Sequence, residues 1–244
     1  MSSKKHILLT GGSGLLGKNL LPLLASQNNI IVYTPTSSML DVRDMASIRR
    51  FCERHKFDMV IHAGAYTDVP GAESDKGMKE CMNTNVLGTK NIGGYCEEKS
   101  IPMVYISSDY VYEGARGKYS AEEEVKPFCF YGWSKLAGEL FVPDDGLIIR
   151  TSFKKRNTWG ENSYTKVPDP VYTSSDFVDR IAPKIVRAIQ DPTLWRKRVL
   201  NIGTERKLLK DLAKEDYPDV SSIHPDDMLL SYKYPKDSSL ILSI

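Results

Sequence analysis

Tyr131-Gly132-Trp133-Ser134-Lys135 sets a phenol and an ammonium four residues apart. On an α-helix that spacing places both side chains on one face, one turn apart. A neighbouring ammonium favours the phenolate, so the phenol pKa is expected to fall from about 10 toward neutrality. Such a phenol can give or take a proton at working pH, as a carbonyl/alcohol redox reaction requires. The same pair on a surface helix, its lysine stem lying along apolar surface, would do no chemistry. Its meaning depends on the elements that position it.

Those elements begin at residue 5. Residues 5–10 read as a short buried strand, followed by Gly11-Gly12-Ser13-Gly14-Leu15-Leu16-Gly17 and then the apolar-periodic Leu20, Leu21, Leu23 and Leu24. The order is strand, glycine turn, helix. Gly11, Gly14 and Gly17 permit a tight turn, let the backbone approach a pyrophosphate, and pack helix on strand, while the helix N-terminus faces the phosphates. The alternative is a glycine-rich turn with no ligand. Residues 30–33 read as the second strand. Here an NAD-preferring dinucleotide fold usually places an acid for the ribose 2′-hydroxyl. This chain has Thr34-Pro35-Thr36-Ser37-Ser38, with neither an acid nor an arginine in the run. The reading therefore leans to NADPH, with NADH use left open. Asp41 could cap or turn the chain, or its neighbourhood could line the adenine, and the sequence favours the capping role.

A helix is expected over 45–56 and a third strand at Met59-Val60-Ile61-His62, running into Ala63-Gly64-Ala65-Tyr66. Small residues at the carboxyl end of a strand suit a cofactor lying across the sheet edge; His62 reads as a packed strand histidine. Asn85 falls in a predicted helix leading to Tyr95, where its amide is unfavourable by propensity unless it ties helix to strand. Residues 102–107 form the next strand and end in Ser107-Ser108-Asp109-Tyr110. A serine there can donate a hydrogen bond to a substrate carbonyl, or can be a turn serine. Residues 113–130 read as a loop, and 146–150 as a buried strand ending at Arg150.

From 154 to 170 the chain turns polar, with Lys154, Lys155, Arg156, Asn157, Asn162 and Lys166, and reads as a mobile substrate loop whose cations would meet a diphosphate and whose Trp159 would offer a ring face. A solvated linker is the other reading. Residues 174–190 predict an amphipathic helix with Pro183 as a kink, 199–203 a last strand, 205–214 a short helix, and the tail from 217 a series of turns.

The totals exclude several classes. The chain has 244 residues, with 33 Lys+Arg against 31 Asp+Glu. No basic stripe or acidic tail suggests nucleic acid or an anionic membrane. Cys52, Cys81, Cys96 and Cys129 show no metal spacing with the four histidines, so free thiols in a reducing compartment are expected. The apolar run Ile7-Leu8-Leu9 is too short for a signal peptide or a membrane span. The expected location is cytoplasmic.

Together these residues resemble the extended short-chain dehydrogenase/reductases, and within them the dTDP-4-dehydrorhamnose reductase (RmlD-like) group. The matching stretches are Thr10–Gly17, Leu40–Val42, His62–Thr67, Asn85–Thr89, Ser107–Tyr112, Tyr131–Lys135, Arg150–Ser152, Asn201–Gly203 and Pro235–Leu240. The resemblance implies an α/β fold: a Rossmann-type doubly wound parallel sheet with a small C-terminal substrate lobe. Residues 1–152 would be the NAD(P)-binding domain. Residues 153–244 would be the substrate lobe, intermixed with the last sheet elements at 170–204.

It also implies roles. Tyr131 would be the general acid, Lys135 its partner and a ligand of the nicotinamide ribose, and Ser108 the polariser of the carbonyl. Gly11, Gly14 and Gly17 would seat the pyrophosphate, with Ser13, Leu15 and Leu16 also binding the cofactor, and Asp41 and Val42 would meet the adenine end. Ala63, Gly64, Ala65, Tyr66, Asn85 and Ser107 would line the cofactor. Ser108, Asp109, Tyr110, Arg150 and Trp159 would meet the substrate, with no metal. The expected cofactor is NADPH (or NADH), and the expected partner is a nucleotide-linked 4-keto-6-deoxy-sugar; a homodimer is left open. The chain departs from the group in length, and the shortfall falls after Phe153, so the substrate lobe is expected to be truncated. An epimerase of the same superfamily, or a cofactor-binding regulatory subunit without chemistry, are the alternatives. A dehydratase is disfavoured, because Tyr110 rather than Glu follows Asp109.

Overall fold

Alternate side chains of the first strand, β1 (Lys5–Thr10), enter different cores: Ile7 and Leu9 on one face of the sheet, Leu8 on the other. This follows from the period-two pleat. A parallel strand covered on both faces needs such an unbroken apolar run. The structure is a computed structural model that describes residues 4–160 and 164–244.

The chain continues as α1 (Leu15–Ala25), β2 (Ile30–Tyr33), α2 (Met45–Cys52), β3 (Met59–His62), α3 (Asp75–Cys81), α4 (Gly88–Lys99), β4 (Met103–Ile106), α5 (Phe130–Glu139) and β5 (Leu147–Thr151). Short strands follow: β6 (Phe153–Lys154), β7 (Lys166–Pro168), β8 (Tyr172–Thr173) and β9 (Asp176–Phe177). The remainder is α6 (Val178–Gln190), α7 (Pro192–Trp195), β10 (Val199–Ile202), β11 (Lys207–Leu208), α8 (Leu209–Asp216) and β12 (Ser221–Ile223).

Six strands form one parallel sheet in the order β10-β5-β4-β3-β1-β2. The expected doubly wound Rossmann-type sheet is present. From β1 the chain first steps outward to β2, then returns to place β3 on the other side of β1. The carboxyl ends of β1 and β3 therefore flank a topological switch point, where open α/β sheets hold ligands. Helices α1 and α6 cover one face, through Leu16, Leu20, Leu24, Ile181, Ile185 and Ile189. Helices α2 and α4 cover the other, through Ile48, Cys52, Ile92 and Cys96.

Several boundaries differ from the sequence expectation. The predicted 45–56 helix stops at Cys52. Asn85 lies in a wide-turned π segment, Met82–Leu87, joining α3 to α4. The helix expected from 174 begins at Val178, because Asp176 and Phe177 pair with Phe153 and Lys154 as β9 against β6. It then runs unbroken through Pro183. The polar 154–170 segment is not simply a loop: it contributes β7, which pairs in parallel with β12. Asn162 lies outside the described residues. The tail is also more ordered than turns alone, since Tyr119 donates its N–H to the Ser239 carbonyl at 3.0 Å and Leu240 is buried. The lobe after β5 has its own small core, of Trp159, Val167, Val171, Phe177, Leu209 and Leu212. Among the described residues no helix is long and apolar enough to cross a membrane.

Candidate functional site

A cavity of 510 Å³ opens at the carboxyl ends of β1, β3, β4 and β5. Each strand contributes the turn that follows it. After β1 come Gly11, Ser13, Gly14, Leu15, Leu16 and Gly17; after β3, Ala63, Gly64, Ala65, Thr67 and Val69. After β4 come Ser107, Ser108, Asp109 and Tyr110, and after β5, Thr151 through Lys154. Helix α5 closes one side with Tyr131 and Lys135.

The glycine turn is shaped by close approach. Gly11 has φ +72°, and a Cβ there would lie 2.6 Å from the Gly64 nitrogen, so only glycine lets the β1 and β3 turns touch. A Cβ on Gly17 would collide with the Gly11 carbonyl oxygen. Gly14 is the N-cap of α1 and supplies no side-chain cap. The first N–H groups of an eleven-residue helix are thus turned toward the cavity with no side-chain acceptor. At the far wall the Thr151 hydroxyl oxygen is buried with no hydrogen-bond partner. A glycine cradle, an uncapped helix end and an orphaned buried hydroxyl along one cavity fit a dinucleotide.

Tyr131 and Lys135 share the cavity-facing side of α5, as their spacing requires. Cys129 caps the helix, its Sγ accepting from the Gly132 N–H at 3.4 Å. Gly132 has no Cβ because the Tyr110 carbonyl occupies that space. This contact sets the Ser108–Tyr110 turn against the helix, with the Tyr110 and Tyr131 rings edge to face at 6.2 Å. The Ser108 hydroxyl donates to Asp109 Oδ1 at 3.2 Å and accepts from the Tyr110 N–H at 3.1 Å.

The electrostatics correct one expectation. The Tyr131 phenol is pushed well above its ordinary pKa, by burial first and by the nearby Asp109 carboxylate second; Ser108 offsets part of this. Instead Lys135 moves, its ammonium pushed down to about 7 by burial while Glu139 and Cys81 pull it back up. Its Nζ sits 4.2 Å from the centre of the Tyr105 ring. Lys135 is buried and Tyr131 half-buried, and desolvation outweighs the attraction that the spacing alone suggested. Burial also pushes the Asp109 carboxyl up to about 6, against hydrogen bonds from Ser238 and Ser108 and the charge of Lys154.

Other sequence-derived candidates stand elsewhere. Asn85 is fully buried and does not line the cavity. It accepts from the Tyr66 N–H at 2.8 Å, donates to the Tyr66 carbonyl at 3.1 Å, and donates to Ser134 Oγ at 2.8 Å. Tyr66 is therefore a held backbone, and its phenol faces Asp68 rather than the cavity. Arg150 does not reach the cavity: its guanidinium forks onto Glu139 at 3.0 and 2.7 Å and donates to the Tyr112 hydroxyl at 2.9 Å. Ser107, besides lining the cavity, donates to the same Glu139 at 2.6 Å. Trp159 is a core residue of the small lobe and offers no ring face to the cavity. Arg156 is held by Asp179 at 2.9 Å and lies over the Phe177 ring. His62, packed between Thr10 and Thr89, is pushed down to about 3 by burial and stays neutral.

Asp41 and Val42 line a second cavity of 330 Å³, which shares Gly11, Ser13, Gly64 and Ala65 with the first. Lys154, expected as a cation for a diphosphate, does line the first cavity, but sequence reading overlooked Thr151 and Arg43. Each lies a few residues beyond a strand end or turn already marked, which is the signal that could have found them. Among the described residues no group of His, Cys, Asp and Glu is arranged to hold a metal.

Comparison with known proteins agrees with this fold. Residues 5–161 match the RmlD substrate binding domain family. The chain is 34% identical over 151 residues to the dTDP-4-keto-6-deoxy-D-glucose reductase of Streptomyces niveus, covering 60% of this chain and 51% of the relative. It is 30% identical over 221 residues to a probable low-salt glycan biosynthesis reductase of Haloferax volcanii, covering 84% of this chain and 71% of the relative. The match to the first of these thus spans about half of that relative's length. Among solved structures, a dTDP-4-dehydrorhamnose reductase of Bacillus anthracis in complex with NADP superposes with TM-score 0.86 at 23% identity, over 98% of this chain and 91% of that one. A hypothetical dTDP-4-dehydrorhamnose reductase from Sulfolobus tokodaii gives 0.81 at 29% identity, over 96% and 91%. The chain belongs to the RmlD substrate binding domain family.

Proposed function

We propose that the protein is an NAD(P)H-dependent reductase of a nucleotide-linked 4-keto-6-deoxy-sugar. The observation that carries this reading is the single cavity in which Ser108, Tyr131 and Lys135 stand together with the glycine turn of β1. Family membership and the names of the relatives support the substrate class. In this reading residues 1–152 form the cofactor half and 153–244 the smaller lobe that meets the sugar, α6 and β10 excepted. The near-balanced charge and free thiols support a cytoplasmic location.

When bound, a reduced nicotinamide supplies hydride to the carbonyl carbon. The residues of the chain do the rest. The Gly11–Gly17 turn and the α1 N-terminus hold the pyrophosphate by backbone N–H groups. Tyr131, whose raised pKa keeps it protonated at neutral pH, donates the proton that the carbonyl oxygen needs as it becomes an alcohol. The Ser108 hydroxyl turns from Asp109 to donate to the same oxygen. Lys135, close to neutrality, supplies positive charge beside the tyrosinate that proton donation leaves. Orientation and preformed donors are the protein's contribution.

The test is incubation with dTDP-4-keto-6-deoxy-sugar and NADPH. Stoichiometric cofactor oxidation with a reduced sugar product supports the reading. Isomerised sugar with no net cofactor consumption would establish the epimerase. Tight cofactor binding with no change in that sugar, or in its UDP and GDP counterparts, would establish the regulatory subunit.

A further inference from the structure

We propose that Arg43 reads the 2′-phosphate of the bound cofactor, and so sets a preference for NADPH over NADH. The proposal rests on the cofactor reading above and adds to it the residue that discriminates.

The second cavity continues from the pyrophosphate turn, because both cavities share Gly11, Ser13, Gly64 and Ala65. It lies beyond the carboxyl end of β2, where the adenosine ribose falls in this fold. The run Thr34–Ser38 offers hydroxyls and no carboxylate. The acid that lines this cavity is Asp41, and it is already engaged. The Arg43 Nε donates to both its oxygens, at 2.9 and 3.2 Å, the Arg43 Nη2 to Oδ2 at 2.8 Å, and the Arg43 backbone N–H to Oδ1 at 2.9 Å. A carboxylate so occupied has little capacity left for ribose hydroxyls, and its charge is matched by Arg43. Asp41 therefore acts as the holder of a guanidinium rather than as the reader of a 2′-hydroxyl.

The guanidinium it holds is suited to a phosphate. Its side chain is 47% exposed and lines the cavity with Ser37. With Nε and Nη2 turned to Asp41, the Nη1 edge is directed away from that carboxylate. A planar fork fixed by one carboxylate presents its remaining N–H groups with little entropy to lose, and phosphate is a preferred partner of such a fork. The opposing charge is Glu80, whose Oε2 lies 3.7 Å from Nη1. At that distance it competes with an incoming phosphate, and it supplies a second, opposite test.

The experiment measures dissociation constants of the full chain by titration calorimetry, with NADPH, NADH, 2′,5′-ADP and 5′-AMP. Arg43→Ala should weaken NADPH and 2′,5′-ADP by about 10- to 100-fold, as expected for a lost charge-assisted contact. NADH and 5′-AMP should hold or tighten, since Asp41 is released to the ribose. Arg43→Lys should recover part of the loss, and Glu80→Gln should tighten NADPH a few-fold. Equal weakening of both ligand pairs by Arg43→Ala, or unchanged NADPH binding, would overturn the assignment of Arg43 alone. Failure of the unaltered protein to bind either dinucleotide would overturn the cofactor reading and this proposal with it.

Discussion

Asn85 grips both polar groups of the Tyr66 backbone, accepting its N–H at 2.8 Å and donating to its carbonyl at 3.1 Å. The same amide donates to Ser134 at 2.8 Å, inside the helix that carries Tyr131 and Lys135. One buried side chain therefore ties the turn after β3, which lines the first cavity, to the helix that bears Tyr131 and Lys135. An asparagine in the middle of a helical rod is otherwise unfavourable, and the wide π segment around it is where it can be accommodated.

Asn85→Ala should leave the Tyr66 N–H and carbonyl without their partner. Each unsatisfied buried group costs about 1–3 kcal/mol, and a chain of this size loses about 2–4 °C in Tm per kcal/mol. Thermal unfolding should therefore shift down by roughly 5–15 °C. Loss of turnover should exceed the loss expected from unfolding at the assay temperature, because the Tyr66 turn is no longer fixed to α5. A variant with unchanged Tm would show that the link is dispensable.

The ion pair of Glu139 and Arg150 is buried on both sides, with side-chain exposures of 6% and 7%. Glu139→Gln leaves a guanidinium enclosed without its counter-charge, and such a loss costs about 3–5 kcal/mol. Replacing both partners, as Glu139→Leu with Arg150→Met, should recover much of that stability, since a well-packed apolar pair escapes the desolvation cost. Denaturant titration of the three proteins checks the ordering. A double variant less stable than Glu139→Gln would contradict it.

The pH dependence of stability follows from which state holds more protons. Lys135 falls from 10.5 in the unfolded chain to about 7 in the fold, so between those values the folded chain binds fewer protons and stability rises with pH. His62, lowered from 6.5 to about 3, likewise makes stability rise with pH in its own lower window. Asp109 is raised from 3.8 to about 6, so it works the other way and stability falls as pH climbs through that range. The two effects oppose each other in acid, leaving Lys135 as the exposed signature above neutrality. Between about pH 7 and about pH 9.5 the cofactor-free protein should gain roughly 6–12 °C in Tm relative to Lys135→Met. Parallel curves for the two proteins would show that Lys135 is charged throughout.

The sheet and its glycine turn were readable because their signals are local. Ile7-Leu8-Leu9 is apolar throughout, as a strand covered on both faces must be, and Gly11, Gly14 and Gly17 mark a turn that side chains would block. The positions of Ser108, Tyr131 and Lys135 were likewise readable from strand ends and helical spacing. What stayed hidden depends on contacts between distant residues or on burial. Arg150 stands at a strand end like Ser107, yet its partner is Glu139, one helix earlier and out of the cavity. Trp159 looked like a ring face for a substrate, but it fills the core of the small lobe with Phe177 and Leu212. Spacing placed an ammonium beside Tyr131 without revealing how far the fold would desolvate the two groups, which reverses the expected shift of the phenol. Arg43 lies ten residues past the end of β2 in sequence, and only the folding back of that loop brings it to the second cavity.

The most direct test of the account is the rate of sugar-dependent NADPH oxidation, followed by nicotinamide absorbance, in the unaltered protein and in Tyr131→Phe. Loss of the phenolic proton donor should lower turnover by about 10²- to 10⁴-fold while the dissociation constant for NADPH stays the same. Equal turnover in the two proteins would remove Tyr131 as the acid and contradict the mechanism built on its place beside Ser108 and Lys135.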